Sequence, residues 1–127
     1  MTMAMRIGAM AAAAAMLAAG GPATAAGNPA SGKAAFARCV TCHAIAPGRN
    51  GIGPSLAGVV GRRAGALPGF AFSPAMKKSR FIWTPAALDK YLANPRTAVP
   101  GTKMAFAGVP KPADRANLIA YLATLKK

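Results

Sequence analysis

Cys39-Val40-Thr41-Cys42-His43 is the stretch of this 127-residue sequence whose residue types and spacing point most directly to chemistry. Two thiols three positions apart share one helical turn, so both can reach the two vinyl groups along one edge of a porphyrin. The adjoining imidazole then faces the iron, and C-x-x-C-H reads as covalent c-type haem attachment. Structural zinc needs about four nitrogen or sulfur ligands, whereas the chain has only 2 Cys and 1 His. A thioredoxin-like C-x-x-C belongs in a strand–helix context, which these flanking residues do not supply. A disulfide suits an exported chain, but here it would close a tiny loop and leave His43 without a role. Haem is the reading that uses all three side chains.

His43 is therefore expected to ligate iron through Nε2, with Nδ1–H held by a backbone carbonyl that fixes the tautomer. For the opposite side the candidates are Met104, Met76, a lysine, or nothing. Met104 is favoured because it follows Pro100-Gly101-Thr102-Lys103, an irregular turn-rich stretch that could hold a thioether over the metal. Met76, in Ser73-Pro74-Ala75-Met76-Lys77-Lys78, reads as a gap-filling side chain.

The composition narrows the rest. There are 16 Lys+Arg against 2 Asp+Glu, a net charge of +14, and both acidic residues are aspartates, Asp89 and Asp114. Paired-carboxylate catalysis has almost nothing to draw on. Residues 1–25 carry one cation, Arg6, then an apolar run from Ile7 to Ala19, a Gly20-Gly21-Pro22 break and the small residues Ala23-Thr24-Ala25. This is the pattern of a cleaved export signal, with cleavage expected after Ala25 or, second, after Ala26. The thirteen apolar residues reach about 20 Å, short of the ~30 Å hydrocarbon core. Loss of the signal removes Met1, Met3, Met5, Met10, Met16 and Arg6. The remaining chain, residues 26–127, keeps a charge of +13. Export makes nucleic acid an improbable target for that charge.

Three helices are expected to position the motif, giving an all-α fold. Asn28-Pro29 starts the first, which runs to about Cys39. Thr84-Pro85 starts the second, which ends at Asn94-Pro95 because the residue before proline is pushed out of the α region. Pro112 starts the third, with Leu118, Leu122 and Leu125 at helical spacing, Asp114 in its first turn and Lys126-Lys127 at its end. Residues 44–69 and 96–111 are rich in Gly and Pro and read as long loops. Loops of that length usually carry function, and so thin a set of helices suggests that they enclose a hydrophobic object.

In order, CVTCH, GIGPSLAGVVGRRAG, PGFAF, the lone Trp83, YLANPRTAVPGTKMAFAG and NLIAYL resemble the class I c-type cytochromes over nearly all of residues 27–127. The resemblance is to the mitochondrial-like branch with its bacterial photosynthetic and respiratory members. It implies a small cytochrome c fold wrapped around one haem c, bound through Cys39 and Cys42 with His43 and Met104 as axial ligands. It also implies Pro54 as the carbonyl partner of His43, and Gly32 and Phe36 crossing Leu118 and Tyr121. Tyr91 would lie near the Met104 sulfur, Phe106 beside the haem rim, and Arg62, Trp83 and Thr102 would donate to the propionates. Two positions depart from the family. Phe72 stands where a propionate-binding Tyr is usual, and Met76 where an Asn often joins a buried polar network.

A His/Met-ligated haem has no vacant position for substrate, so the expected role is that of a soluble, monomeric, periplasmic one-electron carrier and not an enzyme. The resemblance implies membrane partners with acidic docking faces: a cytochrome bc complex, a terminal oxidase or a photosynthetic reaction centre. Arg38, Arg96, Lys103 and Lys111 would ring the exposed haem edge and be steered by those faces, with Lys77 and Lys78 elsewhere. The alternatives are a dedicated acceptor for a periplasmic dehydrogenase, or a haem peroxidase or gas sensor with Met104 off the iron.

Overall fold

Among the described residues every α-helix begins on a proline, and four of the five are capped by the side chain just before it. The computed structural model describes residues 27–127; the export signal expected at residues 1–25 lies outside the described residues. Helix α1 spans Pro29–Ala35 and continues as one 3₁₀ turn, Phe36–Arg38. The Asn28 side chain accepts from the amides of Ala30 and Ser31 at 2.9 and 3.1 Å, satisfying donors that the first turn leaves free. Helix α3, Pro85–Ala93, is capped by Thr84 on the Ala87 amide. Helix α5, Pro112–Leu122, starts with Asp114 in its first turn.

Two further helices were not expected from the sequence. Ser73 caps α2, Pro74–Ser79, accepting from the Met76 amide at 3.1 Å. Helix α4, Pro95–Ala98, starts immediately after α3. Asn94 serves both: its extended backbone (φ −158°) ends α3 ahead of the proline, and its side chain accepts from the Thr97 amide. These helices were missed because four to six residues are too few to show an apolar period, although Ser73-Pro74 and Asn94-Pro95 carry the same start signal as the others. The expected placement of Lys126-Lys127 at the end of α5 is also corrected. The helix stops at Leu122 with no basic residue in its last turn, so those cations lie beyond the reach of its dipole.

Helices α1 and α5 cross at Gly32. A Cβ there would fall 1.9 Å from the Asn117 carbonyl oxygen and 2.8 Å from Tyr121 Cβ, so only glycine lets the two backbones come this close. Next to the crossing, the Phe36 and Tyr121 rings pack 5.2 Å apart. Trp83 is held by a short antiparallel pairing: its amide donates to Arg62 O at 2.8 Å, and the Gly61 amide donates to Trp83 O at 2.9 Å. The ring of Trp83 meets Phe81 and Tyr91 edge-on at 4.6 and 5.0 Å. The long loop between α1 and α2 thereby folds back on α3. No strand beyond the isolated Arg63–Ile82 bridge forms among the described residues.

Candidate haem site

A largely apolar cavity of about 500 Å³ lies at the centre of these elements. Its wall and the hydrophobic core are largely the same residues. Phe36, Val59, Met76, Trp83, Leu88, Tyr91, Leu92, Leu118 and Leu122 are buried, and all face this space. The core is thin because it is built around a volume, as the long loops implied. The cavity falls within the range of sites that bury a small organic ligand.

Cys39, Cys42 and His43 arrive on one turn. The amides of Cys42 and His43 both donate to Cys39 O, at 3.1 and 2.9 Å, extending the helical path of the 3₁₀ segment. Both thiols are free and half-buried at the cavity wall, with burial raising the pKa of Cys39. His43 Nδ1 lies 2.7 Å from Pro54 O. A carbonyl can only accept, so Nδ1 carries the proton and Nε2 keeps its lone pair. Burial holds the imidazole pKa below its usual value; the Pro54 bond opposes that shift and the Arg62 charge adds to it. The neutral, ligand-competent ring is therefore favoured. The ring sits so close over Gly53 that a Cβ would fall 2.4 Å from Cε1.

Met104 is half-buried at the same cavity. Tyr91 and Thr102 share a hydrogen bond of 2.7 Å, so the Tyr91 hydroxyl is engaged with Thr102. Burial raises the Tyr91 pKa, with the Thr102 bond opposing. Both guanidinium ends of Arg62 donate to Ser55 O at 3.0 and 2.9 Å, while Nε is buried without a partner. Burial lowers the pKa of Arg62. An unpaired donor on a half-buried cation is costly unless an anion answers it, so a carboxylate-bearing ligand suits this wall. Phe106, Phe72 and Met76 also line the cavity, with Phe72 set edge-on to Phe70 at 4.8 Å. The residues present fit a haem: two thiols at one edge, a free imidazole nitrogen, a thioether, apolar walls and an unanswered cationic donor.

Two residues gain a part that the sequence reading did not assign. Ser73 is buried at the cavity wall, and because its oxygen accepts from Met76, its hydroxyl hydrogen is free to donate. Its place as a helix cap was the available signal. Lys103, expected in the ring of cations at the exposed haem edge, is exposed and borders the cavity, where its ammonium donates to Ala71 O and lies 4.5 Å from the centre of the Phe70 ring. Arg38 borders the cavity. Arg96 and Lys111 are exposed on neighbouring elements without lining it. No helix among the described residues is long and apolar enough to cross a membrane.

The family model described as Cytochrome c matches residues 29–126. Cytochrome c2 iso-2 of Magnetospirillum fulvum is 54% identical over 91 residues, covering 72% of this chain and 95% of that one. Cytochrome c of Trypanosoma brucei brucei is 57% identical over 79 residues, 62% of this chain and 85% of the other. Among solved structures, cytochrome cH from Methylobacterium extorquens matches with a TM-score of 0.74 and 48% identity, over 77% of this chain and 99% of that one. Taken with the cavity and its two thiols, these matches show that the chain belongs to the cytochrome c family, a class I c-type cytochrome that carries electrons through one haem c on Cys39 and Cys42 and is not an enzyme.

Proposed function

We propose that the protein is a soluble periplasmic one-electron shuttle between membrane redox complexes, with His43 and Met104 as the axial ligands of its haem. The observation that carries this reading is the 2.7 Å bond from His43 Nδ1 to Pro54 O. It leaves Nε2 as the free nitrogen at a cavity that also holds Met104 and both thiols. The haem, once bound, supplies a one-electron couple. The chain's part is to keep that couple in one geometry. Pro54 and Gly53 hold the imidazole in place, and Thr102 braces Tyr91 beside Met104. Arg62, Trp83, Thr102 and Ser73 are suited to donate to the propionates, Phe106 to cover the rim, and the apolar wall to exclude water. A thioether from Met104 would favour the reduced form of the bound group and raise its potential.

The charge supports the partner class. Arg38 and Lys103 border the cavity, Arg96 and Lys111 are exposed on neighbouring elements, and a positive surface of this kind is steered by acidic faces at rates that fall with ionic strength. Redox encounters bury little area, below ~1,200 Å², so release stays fast. The proposal includes removal of residues 1–25 on export, leaving a carrier of 26–127.

The test is to purify the periplasmic protein and record its oxidised and reduced spectra, with haem retention after denaturation. The expected result is a covalently held haem and a far-red thioether-to-iron band that Met104→Ala abolishes. A wild-type protein without that band would overturn His/Met ligation. Electron transfer to an anionic membrane complex should slow steeply with salt; a flat profile would remove the docking assignment.

A further inference from the structure

An asparagine followed by glycine is a self-modifying pair, because a nitrogen unshielded by a side chain can close on the carboxamide before it. The chain has four asparagines. Asn28 and Asn94 are each followed by proline, whose nitrogen carries no hydrogen and cannot serve as the nucleophile. Asn117 lies inside α5 ahead of the buried Leu118, where the helical backbone holds the next nitrogen away from the side chain. Asn50-Gly51 differs from all three. Both residues are exposed and lie outside the helices, in the loop between His43 and Pro54. The Gly51 amide donates to Gly53 O at 3.0 Å, one bond whose opening frees the nucleophile. Asn50 Oδ1 accepts from the amide of buried Ser55 at 2.9 Å. That N–H is aimed at the oxygen where charge develops when the carboxamide carbon is attacked, and a donor so placed favours the tetrahedral oxyanion.

We propose that Asn50-Gly51 is a site of spontaneous deamidation in the folded protein. The Gly51 nitrogen gives its proton to water and bonds to Asn50 Cγ. The bond from Cγ to the side-chain nitrogen breaks, ammonia leaves, and a succinimide ring closes. Water then opens the ring on one of two sides. Cleavage of the new bond to Cγ yields aspartate, whereas cleavage at the main-chain carbonyl yields isoaspartate, with the chain now running through the side chain. One water is taken up, one ammonia is released, and nothing is oxidised or reduced.

The product matters because Asn50 holds one end of the planar Pro54–Ser55 peptide and His43 the other. The amide of that unit donates to Asn50, and its carbonyl accepts from His43 Nδ1 at 2.7 Å. Aspartate keeps an oxygen for the Ser55 amide. Isoaspartate adds a carbon to the loop backbone and moves the carboxylate away, leaving a buried donor unpaired. The carbonyl is then less firmly held toward His43, and the imidazole becomes a weaker electron donor. This last effect rests on His43/Met104 ligation; the modification does not.

The holoprotein is warmed at neutral pH, sampled over time and digested with pepsin in acid, which halts ring closure. Mass spectrometry of the peptides, with fragmentation that separates aspartate from isoaspartate, is expected to show acid accumulating at Asn50 while Asn117 stays intact. Gly51→Ala should slow the change several-fold, and Asn50→Gln should lose it. Conversion confined to a guanidinium-unfolded sample, or no conversion in either, would overturn the proposal. The isoaspartate fraction, isolated by cation exchange, is compared with Asn50→Asp, which carries the same charge. It should have the lower guanidinium midpoint and the higher reduction potential; equality in both would overturn the link to His43. A missing far-red band in fresh wild-type protein would remove the ligation reading and leave the peptide result standing.

Discussion

Replacing Gly32 by alanine tests whether the α1–α5 crossing sets the stability of the fold. In an exposed helix interior this change is favourable by about 1 kcal/mol, because glycine loses more backbone entropy. At Gly32 the new carbon would meet Asn117 O at 1.9 Å, Asn117 C at 2.6 Å and Tyr121 Cβ at 2.8 Å. It would have to retreat about 1.5 Å to reach van der Waals separation. Two of the three obstacles are main chain and the third is a Cβ, so no rotamer change relieves them; the helices must part. Parting them loosens the Phe36–Tyr121 contact and the cavity wall at Leu118 and Leu122. An overpacking cost of about 3 kcal/mol, at the upper end of the usual range, less the propensity gain, leaves a loss of about 2 kcal/mol. With a guanidinium slope of about 3 kcal/mol/M the midpoint falls by about 0.7 M. Unfolding of the holoprotein, followed by circular dichroism and Trp83 fluorescence, reads this shift. Ala34→Gly, on the exposed side of the same helix, supplies the reference, with a loss of about 1 kcal/mol from propensity alone. A midpoint for Gly32→Ala at or above wild type would refute the close-crossing explanation.

Gly53→Ala should tilt His43 off Pro54, since its Cβ would fall 2.4 Å from the ring; a low-spin spectrum and holoprotein yield equal to wild type would disprove this. Arg115 joins three elements, bonding Asp89 at 2.7 Å and the carbonyls of Val109 and Pro110 at 2.8 and 3.0 Å. Arg115→Ala should therefore cost about 2 kcal/mol in guanidinium unfolding, and Arg115→Lys should recover only part of it because the planar fork is lost. No change in Arg115→Ala would show the clamp to be inert. Arg80 ends α2 in the left-handed region (φ 54°), a place glycine takes without strain. Arg80→Gly should raise stability by about 0.5–1 kcal/mol, and a lowered unfolding midpoint would contradict that.

The haem attachment was readable in the sequence because its chemistry is local: two thiols and an imidazole within five residues on one turn. Helix starts were readable for the same reason. Asn28 and Thr84 cap from the position the chain gives them, with a proline beside each that gives up no needed amide. Ser73 and Asn94 carried the same signal, but their helices bury Met76 and Pro95 respectively and little else, too little for a period to register. The side chains and carbonyls expected around the motif came by resemblance, not from spacing. Nothing in residues 43–54 alone says that the Pro54 carbonyl will turn toward His43.

Tertiary structure alone decided which groups of the chain the cations bind. A count of +14 treats Arg62, Lys103 and Arg115 as interchangeable with Lys126. In the fold, Arg62 faces the cavity with an unanswered Nε, Lys103 crosses 32 residues of sequence to reach Ala71, and Arg115 clamps α3 to α5. Each role depends on a carbonyl, ring or carboxylate brought near by chain reversals at distant turns. Charge is carried in the residue type, whereas a partner exists only once the chain has closed around the cavity.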